Sequence, residues 1–115
     1  MDYVDGLVAA VPDANREAYL AHAEKAAALF REFGATRVVE CWADDVPDGE
    51  LTSFPMAVKL AEGESVVFSW IVWPSRAARD AGWEKIMADP RMHAEPMPFD
   101  GKRMIYGGFA MILDA

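Results

Sequence analysis

The segment from Asn15 to Phe33 constrains the fold most, because its apolar residues recur with the period of an α-helix. One helical face would carry Tyr19, Ala23, Ala26, Ala27, Phe30 and Phe33. Asn15 can cap the start of this helix, and Gly34 supplies a permissive stop at its C-terminal end. The sequence therefore predicts one well-defined helix near the start of the chain, preceded and followed by strand-like runs.

Turn residues divide the rest of the chain into strands and one further helix. Strands are predicted over Tyr3–Val11, Arg37–Ala43, Phe54–Leu60, Ser65–Trp73 and Arg103–Leu113, with the third and fourth forming a hairpin. Ser75 caps a second helix that runs to Ala88 and stops at Asp89 and Pro90. This order of elements predicts an α+β fold, a ferredoxin-like antiparallel sheet with two helices on one face.

The second face of such a sheet has no helix to cover it. Apolar and aromatic side chains are predicted on both faces, and a small monomer seldom leaves that much apolar surface in water. We therefore expect a homodimer that packs sheet against sheet, with residues 1–115 forming a single domain.

Composition excludes several kinds of partner. The net charge of -8 repels phosphate backbones, so nucleic acid is not expected as a partner. No run approaches the ~18 apolar residues of a membrane helix, and the N-terminus lacks a signal-peptide pattern. The single cysteine, Cys41, cannot form an internal disulfide and is expected to be a buried, inert thiol. A cytoplasmic location is therefore expected, with no membrane partner.

Alternation along the strands assigns side chains to the two sheet faces. The small residues Val4, Gly6, Val8 and Ala10, together with Val39 and Cys41, suit a face packed by helices. The opposite, open face would then carry Tyr3, Asp5, Leu7, Val38, Glu40, Trp42, Phe68, Trp70, Arg103, Ile105 and Phe109. This partition predicts a pocket at the sheet interface, or between the sheet and the helices.

Two carboxylates are the candidate catalytic residues of this pocket, Asp5 and Glu40. Aromatic walls would desolvate their charged forms and raise their pKa towards the range of a general acid or base. The candidate ligand-binding residues are Tyr3, Trp42, Phe68, Trp70 and Arg103, with Arg103 holding an anionic group. The alternative is that each carboxylate pairs with Arg37, Arg103 or an arginine of the partner subunit, and only orients the dimer.

Several stretches in one order make the chain similar to a known family. They are Tyr3–Gly6, Phe30–Ala35, Val38–Ala43, Val67–Ile71, Asp89–Met92 and Met97–Phe109, the last joining an Asp-Gly turn to an aromatic strand. The chain resembles the YbaA-like family of small uncharacterised bacterial proteins. That resemblance implies the dimeric α+β barrel superfamily, which includes cofactor-free monooxygenases, haem-degrading enzymes and proteins of no known activity.

No cofactor and no metal are expected. Haem-degrading relatives carry a ligand histidine within the second helix, whereas the predicted helix from Ser75 to Ala88 has none. His22 and His93 lack metal-ligand spacing to Cys41 or to a carboxylate cluster. One hypothesis is a cofactor-free oxygenase or isomerase that acts on a small organic molecule. The other is a non-catalytic ligand-binding or structural homodimer.

Overall fold

A computed structural model describes residues 1–115 as one antiparallel sheet with helices packed against it. The strands are β1 (Tyr3–Pro12), β2 (Arg37–Trp42), β3 (Glu64–Trp73) and β4 (Ile105–Ala110), in the order β2-β3-β1-β4. The helices are α1 (Arg16–Glu32), α2 (Phe54–Ala57) and α3 (Arg76–Ala88), with short 3-10 turns at Asp13–Asn15, Pro90–His93 and Gly101–Arg103. The predicted α+β class and antiparallel sheet are confirmed. None of the helices has the length and apolarity that a membrane-spanning segment needs.

Helix α1 has the predicted apolar face, with Tyr19, Ala23 and Phe30 buried. Gly34 ends it with a positive φ of 116°, and the Ala35 amide donates to the Phe30 carbonyl at 2.9 Å. The predicted cap at Asn15 is wrong, because its side chain makes no capping bond. The Asn15 side chain instead donates to the carbonyl of Pro98 at 2.9 Å and so ties the start of α1 to the loop before β4.

The predicted strand over Phe54–Leu60 is also wrong, because this segment begins with the short helix α2. Ser53 caps it by accepting from the Met56 amide at 3.1 Å, and Pro55 lies in its first turn. A serine followed by an early proline is a helix start signal, and here it outweighs the β-forming residues around it. After α2, the fully buried Val58 packs against Val8, Ala10 and Val66. These last three residues belong to the sheet face that α1 and α3 leave free, so this segment covers one end of that face.

The predicted assignment of the two sheet faces is reversed for β1 and β2. Asp5 accepts hydrogen bonds from α3, and Glu40 accepts one from Tyr19 of α1. The residues that therefore lie beneath the helices are Tyr3, Asp5, Leu7, Val38, Glu40 and Trp42. Small residues were expected under the helices. They lie on the other face, where Gly6 leaves room for the Phe109 ring, 3.6 Å from where a Cβ would be.

The free face carries the aromatic residues predicted for it. Trp70 is the register partner of Gly6, Phe68 of Val8, and Phe109 of Val4, and directly opposed residues share a face. Phe109 is 62% exposed, and Phe68 and Ile105 are also exposed. The predicted burial of Cys41 is wrong, because this residue is the register partner of Phe68 on the same open face and is exposed as well. The predicted open apolar face is therefore present, although a different set of β1 and β2 residues lies on it.

The core beneath the helices is built around Trp73. This side chain and Ile86 of α3 are fully buried and pack with Phe30 and Ile71. A Cβ at Gly82 would overlap the Trp73 ring, so the glycine lets α3 lie directly on the indole. Phe30 meets Trp83 edge to face, with ring centroids 5.0 Å apart. α1, α3 and the end of β3 thus share one aromatic cluster.

We expect Phe30→Ala to lower the free energy of unfolding by about 3 to 5 kcal/mol, because it removes a buried ring from this cluster. Denaturant unfolding measures the loss. Leu20→Ala is the matched control on the exposed side of α1 and should cost less than about 1 kcal/mol. Equal losses for the two variants would contradict the assignment of the α1 faces.

Candidate functional site

A cavity of about 890 Å³ lies between the sheet and the two long helices. Residues from β1, β2 and β3 line its base, α1 and α3 line its sides, and the segment from His93 to Tyr106 contributes further residues. Most of the lining residues are hydrophobic, with a few polar groups among them. This combination of an apolar wall and few polar groups is typical of small-molecule sites.

The central polar group of the cavity is formed by Glu40 and Tyr19. Glu40, Ser69 and Leu7 lie side by side across β2, β3 and β1, so their side chains point to the same face. Tyr19 reaches down from α1 and donates its hydroxyl hydrogen to Glu40 Oε1 at 2.5 Å. The other carboxylate oxygen, Oε2, accepts no hydrogen bond from the protein.

The surroundings shift the proton affinity of both groups upwards. Burial raises the pKa of the Tyr19 hydroxyl far above its usual value, the hydrogen bond to Glu40 adds to this, and the nearby Ser69 partly opposes it. Tyr19 therefore remains a hydrogen-bond donor. Glu40 as a whole residue is exposed on the edge strand β2, but partial burial of its carboxylate still raises its pKa, against the opposing effect of the Tyr19 hydrogen bond. A carboxylate with a raised pKa is better matched to proton transfer near neutral pH.

Asp5 has a different environment, because its carboxylate is closed in. It is 4% exposed, and Oδ2 accepts from the indole nitrogens of Trp73 at 2.9 Å and Trp83 at 2.8 Å. Oδ1 accepts from Arg79 Nη2 at 2.7 Å and from Arg79 Nε at 3.1 Å. This hydrogen bonding to Asp5 is the main reason that the pKa of Arg79 is raised above its usual value. Both Asp5 oxygens are thus occupied by an ion pair and two indoles.

Asp5 therefore forms an ion pair, as the alternative to a catalytic role proposed. The arginine in that pair is not one of those predicted. Arg37, Arg103 and an arginine of the partner subunit were considered, whereas the partner is Arg79 of α3. Arg79 was missed although it lies four residues before Trp83 on the same helix, which puts the two side chains on one face. The spacing of four residues between Arg79 and Trp83 was the sequence signal that could have indicated a shared partner for the two side chains.

Tyr19 and Ser69 were also missed as polar groups of the site. The helical pattern identified Tyr19 only as part of the apolar stripe of α1, yet it is the one member of that stripe with a hydroxyl group. Ser69 is buried in the middle of β3, where a polar side chain needs a partner. A phenol and a hydroxyl at buried positions were the signal for a polar site.

Among the predicted site residues, Asp5 and Glu40 both line the cavity, but the five predicted ligand-binding residues do not. Tyr3 lies under the Arg79 guanidinium, 5.4 Å from it, and Trp42 packs edge to face on Tyr19 at 6.4 Å. Phe68 and Trp70 lie on the opposite sheet face, in contact with each other. Their predicted grouping with Asp5 and Glu40 is wrong, because the strand alternation separates the two sets.

Arg103 was predicted on the last strand and lies instead in the 3-10 turn before it. It makes two bonds of 2.7 Å to the Glu64 carboxylate and one of 3.1 Å to Asp100. The Arg103 guanidinium holds the pKa of Glu64 at about 2. Arg103 therefore joins the turn before β4 to the start of β3 and is not near Asp5 or Glu40.

The two histidines, His22 and His93, are among the residues that line the cavity. His22 packs edge to face on Phe99 at 6.5 Å, and burial lowers its pKa. His93 is placed by a hydrogen bond between its Nε2 and the Met87 carbonyl at 3.0 Å. No three histidine, cysteine or acidic side chains come together in an arrangement that could hold a metal ion.

Comparisons with known proteins agree with the fold and with the resemblance seen in the sequence. The family described as "Protein of unknown function (DUF1428)" matches residues 2–101. The uncharacterized protein YbaA of Escherichia coli K12 is 63% identical over 116 positions, covering 99% of each chain, and YbaA of Shigella flexneri matches equally well. The predicted YbaA-like relationship is confirmed.

The fold is also found among solved structures. The structure of Rv0793 from Mycobacterium tuberculosis matches with a TM-score of 0.60 and 15% identity, covering 100% of this chain and 99% of that one. At this identity the likeness concerns the fold alone.

We expect Asp5→Asn to lower the free energy of unfolding by about 3 kcal/mol, because Arg79 loses its counter-charge at a site that is mostly dry. Chemical denaturation of both proteins measures the difference. Asp80→Asn is the matched control, since Asp80 also bonds Arg79 but is exposed, and it should cost less than about 1 kcal/mol. If Asp5→Asn proved as stable as the parent protein, Asp5 would not be structural.

Proposed function

We propose that this chain, which belongs to the DUF1428 family, binds a small organic molecule in the cavity and uses Glu40 as a general base. The observation that carries the proposal is the 2.5 Å hydrogen bond between Tyr19 and Glu40 on the wall of a cavity of about 890 Å³. Tyr19 holds one carboxylate oxygen in place, and the other oxygen is free to accept a proton from a ligand.

Glu40 is better suited to this role than Asp5. Both Asp5 oxygens already accept hydrogen bonds. If Asp5 turned away from Arg79 to meet a ligand, a buried charge would be left unpaired. Glu40 has one protein donor and no cationic partner, and its raised pKa favours the uptake of a proton. Asp5 then serves to hold α3 over the sheet, and Glu40 meets the ligand.

The reaction proposed is the transfer of a proton from the ligand to Glu40. In an isomerisation the same proton returns to a different atom of the ligand, so no oxidant and no cofactor are consumed. An oxygenation would begin with the same transfer and would use dioxygen as a second substrate. Proton transfer to Glu40 is therefore the step that the proposed isomerisation and the proposed oxygenation have in common.

Ligand binding without catalysis is the second candidate. It is supported by the ion pairs of the other acidic residues of the cavity, Asp5, Asp80 and Glu95. Glu40 is the one acidic group of the cavity without a cationic partner. In that case the Tyr19 and Glu40 pair would orient a bound molecule through hydrogen bonds. The two candidates differ in whether Glu40→Gln abolishes turnover while ligand binding persists.

A homodimer in the cytoplasm is also part of the proposal. The free sheet face exposes Phe68, Ile105 and Phe109, which together form the kind of apolar surface that proteins bury against a partner. A second copy of the chain could cover it symmetrically. The cytoplasmic location is supported by Cys41, which is free, so that the fold uses no disulfide.

We expect Glu40→Gln to fold normally, because the amide oxygen can still accept the Tyr19 hydrogen bond. A carboxyl group with a raised folded-state pKa binds more protons in the native protein, so it lowers stability as the pH rises past its ordinary value. Glutamine does not titrate. The melting temperature of Glu40→Gln relative to the parent should therefore increase from about pH 4 to about pH 8.

Glu84→Gln, on the exposed side of α3, controls for the loss of one negative charge. Its melting temperature relative to the parent should change much less over the same pH range. A difference between Glu40→Gln and the parent that stays constant with pH would count against a perturbed carboxyl group at this position.

Sedimentation equilibrium should give twice the chain mass of 12.7 kDa. Phe109→Lys should shift this protein towards the monomer, because it places a charge on the free sheet face, where Phe109 is exposed. Leu20→Lys, on the exposed side of α1, should leave the mass unchanged. A parent protein that sediments as a monomer at micromolar concentration would refute the dimer.

A further inference from the structure

The charges on the cavity wall are distributed unevenly. The one arginine on the wall is Arg79, and each of its three guanidinium nitrogens already donates to a carboxylate. Nε and Nη2 bond to Asp5, and Nη1 bonds to Asp80 at 3.0 Å. Arg79 therefore offers no uncompensated positive charge to a ligand.

Two basic side chains beside the cavity, Lys25 and Arg91, are likewise paired. Lys25 bonds to Glu95 at 2.9 Å, and Arg91 bonds to Glu32 and Asp89 at 2.7 Å each. Arg103, which was predicted to hold an anionic group, bonds to Glu64 outside the cavity. A bound anion would thus meet no free arginine or lysine on the cavity wall, since Arg16, which lies 5.1 Å over the Trp42 ring, is not a lining residue.

The negative charge of Glu40, by contrast, is balanced only by the hydroxyl hydrogen of Tyr19. An anionic group placed beside Glu40 would be repelled at short range, although solvent reaches Glu40 and screens part of that repulsion. An uncharged hydroxyl or amide group can instead donate a hydrogen to the free Oε2 atom. The polar centre is therefore complementary to a neutral donor.

The apolar part of the wall indicates the rest of the ligand. Four methionines, Met87, Met92, Met97 and Met104, line the cavity together with the rings of Phe30 and Trp83. Methionine side chains are polarizable, adapt to irregular shapes and make favourable contacts with aromatic rings. The wall is accordingly suited to a flat, ring-bearing body.

We propose that the cavity selects uncharged, ring-bearing ligands with one hydroxyl or amide hydrogen for Glu40, and rejects the corresponding anions. This inference rests on the proposed function, because it specifies the ligand class of the same cavity. It assigns the selectivity to two features, the neutralisation of Arg79 by Asp5 and Asp80 and the uncompensated charge of Glu40.

The test compares 2-naphthamide with 2-naphthoate, which share one shape and differ in charge. At about pH 8, calorimetric titration of the parent protein should show at least about tenfold tighter binding of the amide. In Glu40→Gln the repulsion is absent and the new amide can donate to a carboxylate, so the preference should fall to within about threefold. Glu84→Gln should keep the full preference.

Methyl signals in NMR spectra locate the bound probe. The methyl groups of Ala9 and Ile71, which line the cavity, should shift on addition of 2-naphthamide. Those of Val39 and Val72, on the opposite sheet face, should not shift. Shifts confined to the opposite face would overturn the assignment of the site.

The outcomes separate this inference from the proposed function. Equal or tighter binding of 2-naphthoate to the parent, with shifts at Ala9 and Ile71, would overturn the selectivity and leave a ligand-binding cavity. A preference for the amide that persists in Glu40→Gln would remove Glu40 as its cause. Absence of binding of either probe to the parent and to Glu40→Gln would count against both proposals.

Discussion

The ion pair between Asp5 and Arg79 is the interaction on which the arrangement of the molecule depends. It joins the first strand to the last long helix across 74 positions of the chain. The indoles of Trp73 and Trp83 complete the hydrogen bonding of Asp5, so the buried carboxylate has a donor for each of its oxygens. A buried charge is tolerated only when it is paired in this way. α3 is therefore held at a defined position over the sheet.

A second polar contact holds α1 in the corresponding way, and the two contacts differ in what they leave available. Tyr19 joins α1 to the edge strand β2 through Glu40, but it occupies only one carboxylate oxygen. The cavity lies between these two attachments, with α1 and α3 forming its sides. Two carboxylates on one sheet face thus have separate roles. Both oxygens of Asp5 accept hydrogen bonds from the protein, and this residue fixes the structure. Glu40 has one oxygen without a protein donor and a raised pKa, so it is available to a ligand.

The two sheet faces show why large and polar residues lie under the helices. The helices stand far enough from the sheet to leave a cavity, and Tyr19, Trp73 and Trp83 are long enough to cross that space. On the opposite face, Gly6 and Val8 lie close beneath Phe109 and the segment after α2. Small residues there allow the chain to pack directly on the sheet. In β1, the small residues therefore lie where a neighbouring ring or segment packs closely on the sheet.

The sequence by itself determined the order of the main strands and helices, the apolar face of α1, the stop at Gly34 and the cap at Ser75, because these depend on neighbours within a few residues. It also identified Asp5 and Glu40 as carboxylates on one sheet face, because alternation relates positions within a strand and register extends the relation to the next. Only the tertiary structure decided which face the helices cover, since alternation distinguishes two faces but is symmetric between them. The same holds for Arg79 beside Asp5 and Tyr19 beside Glu40. These contacts join residues 74 and 21 positions apart, and such distances are set by the packing of helices on the sheet, not by local pattern.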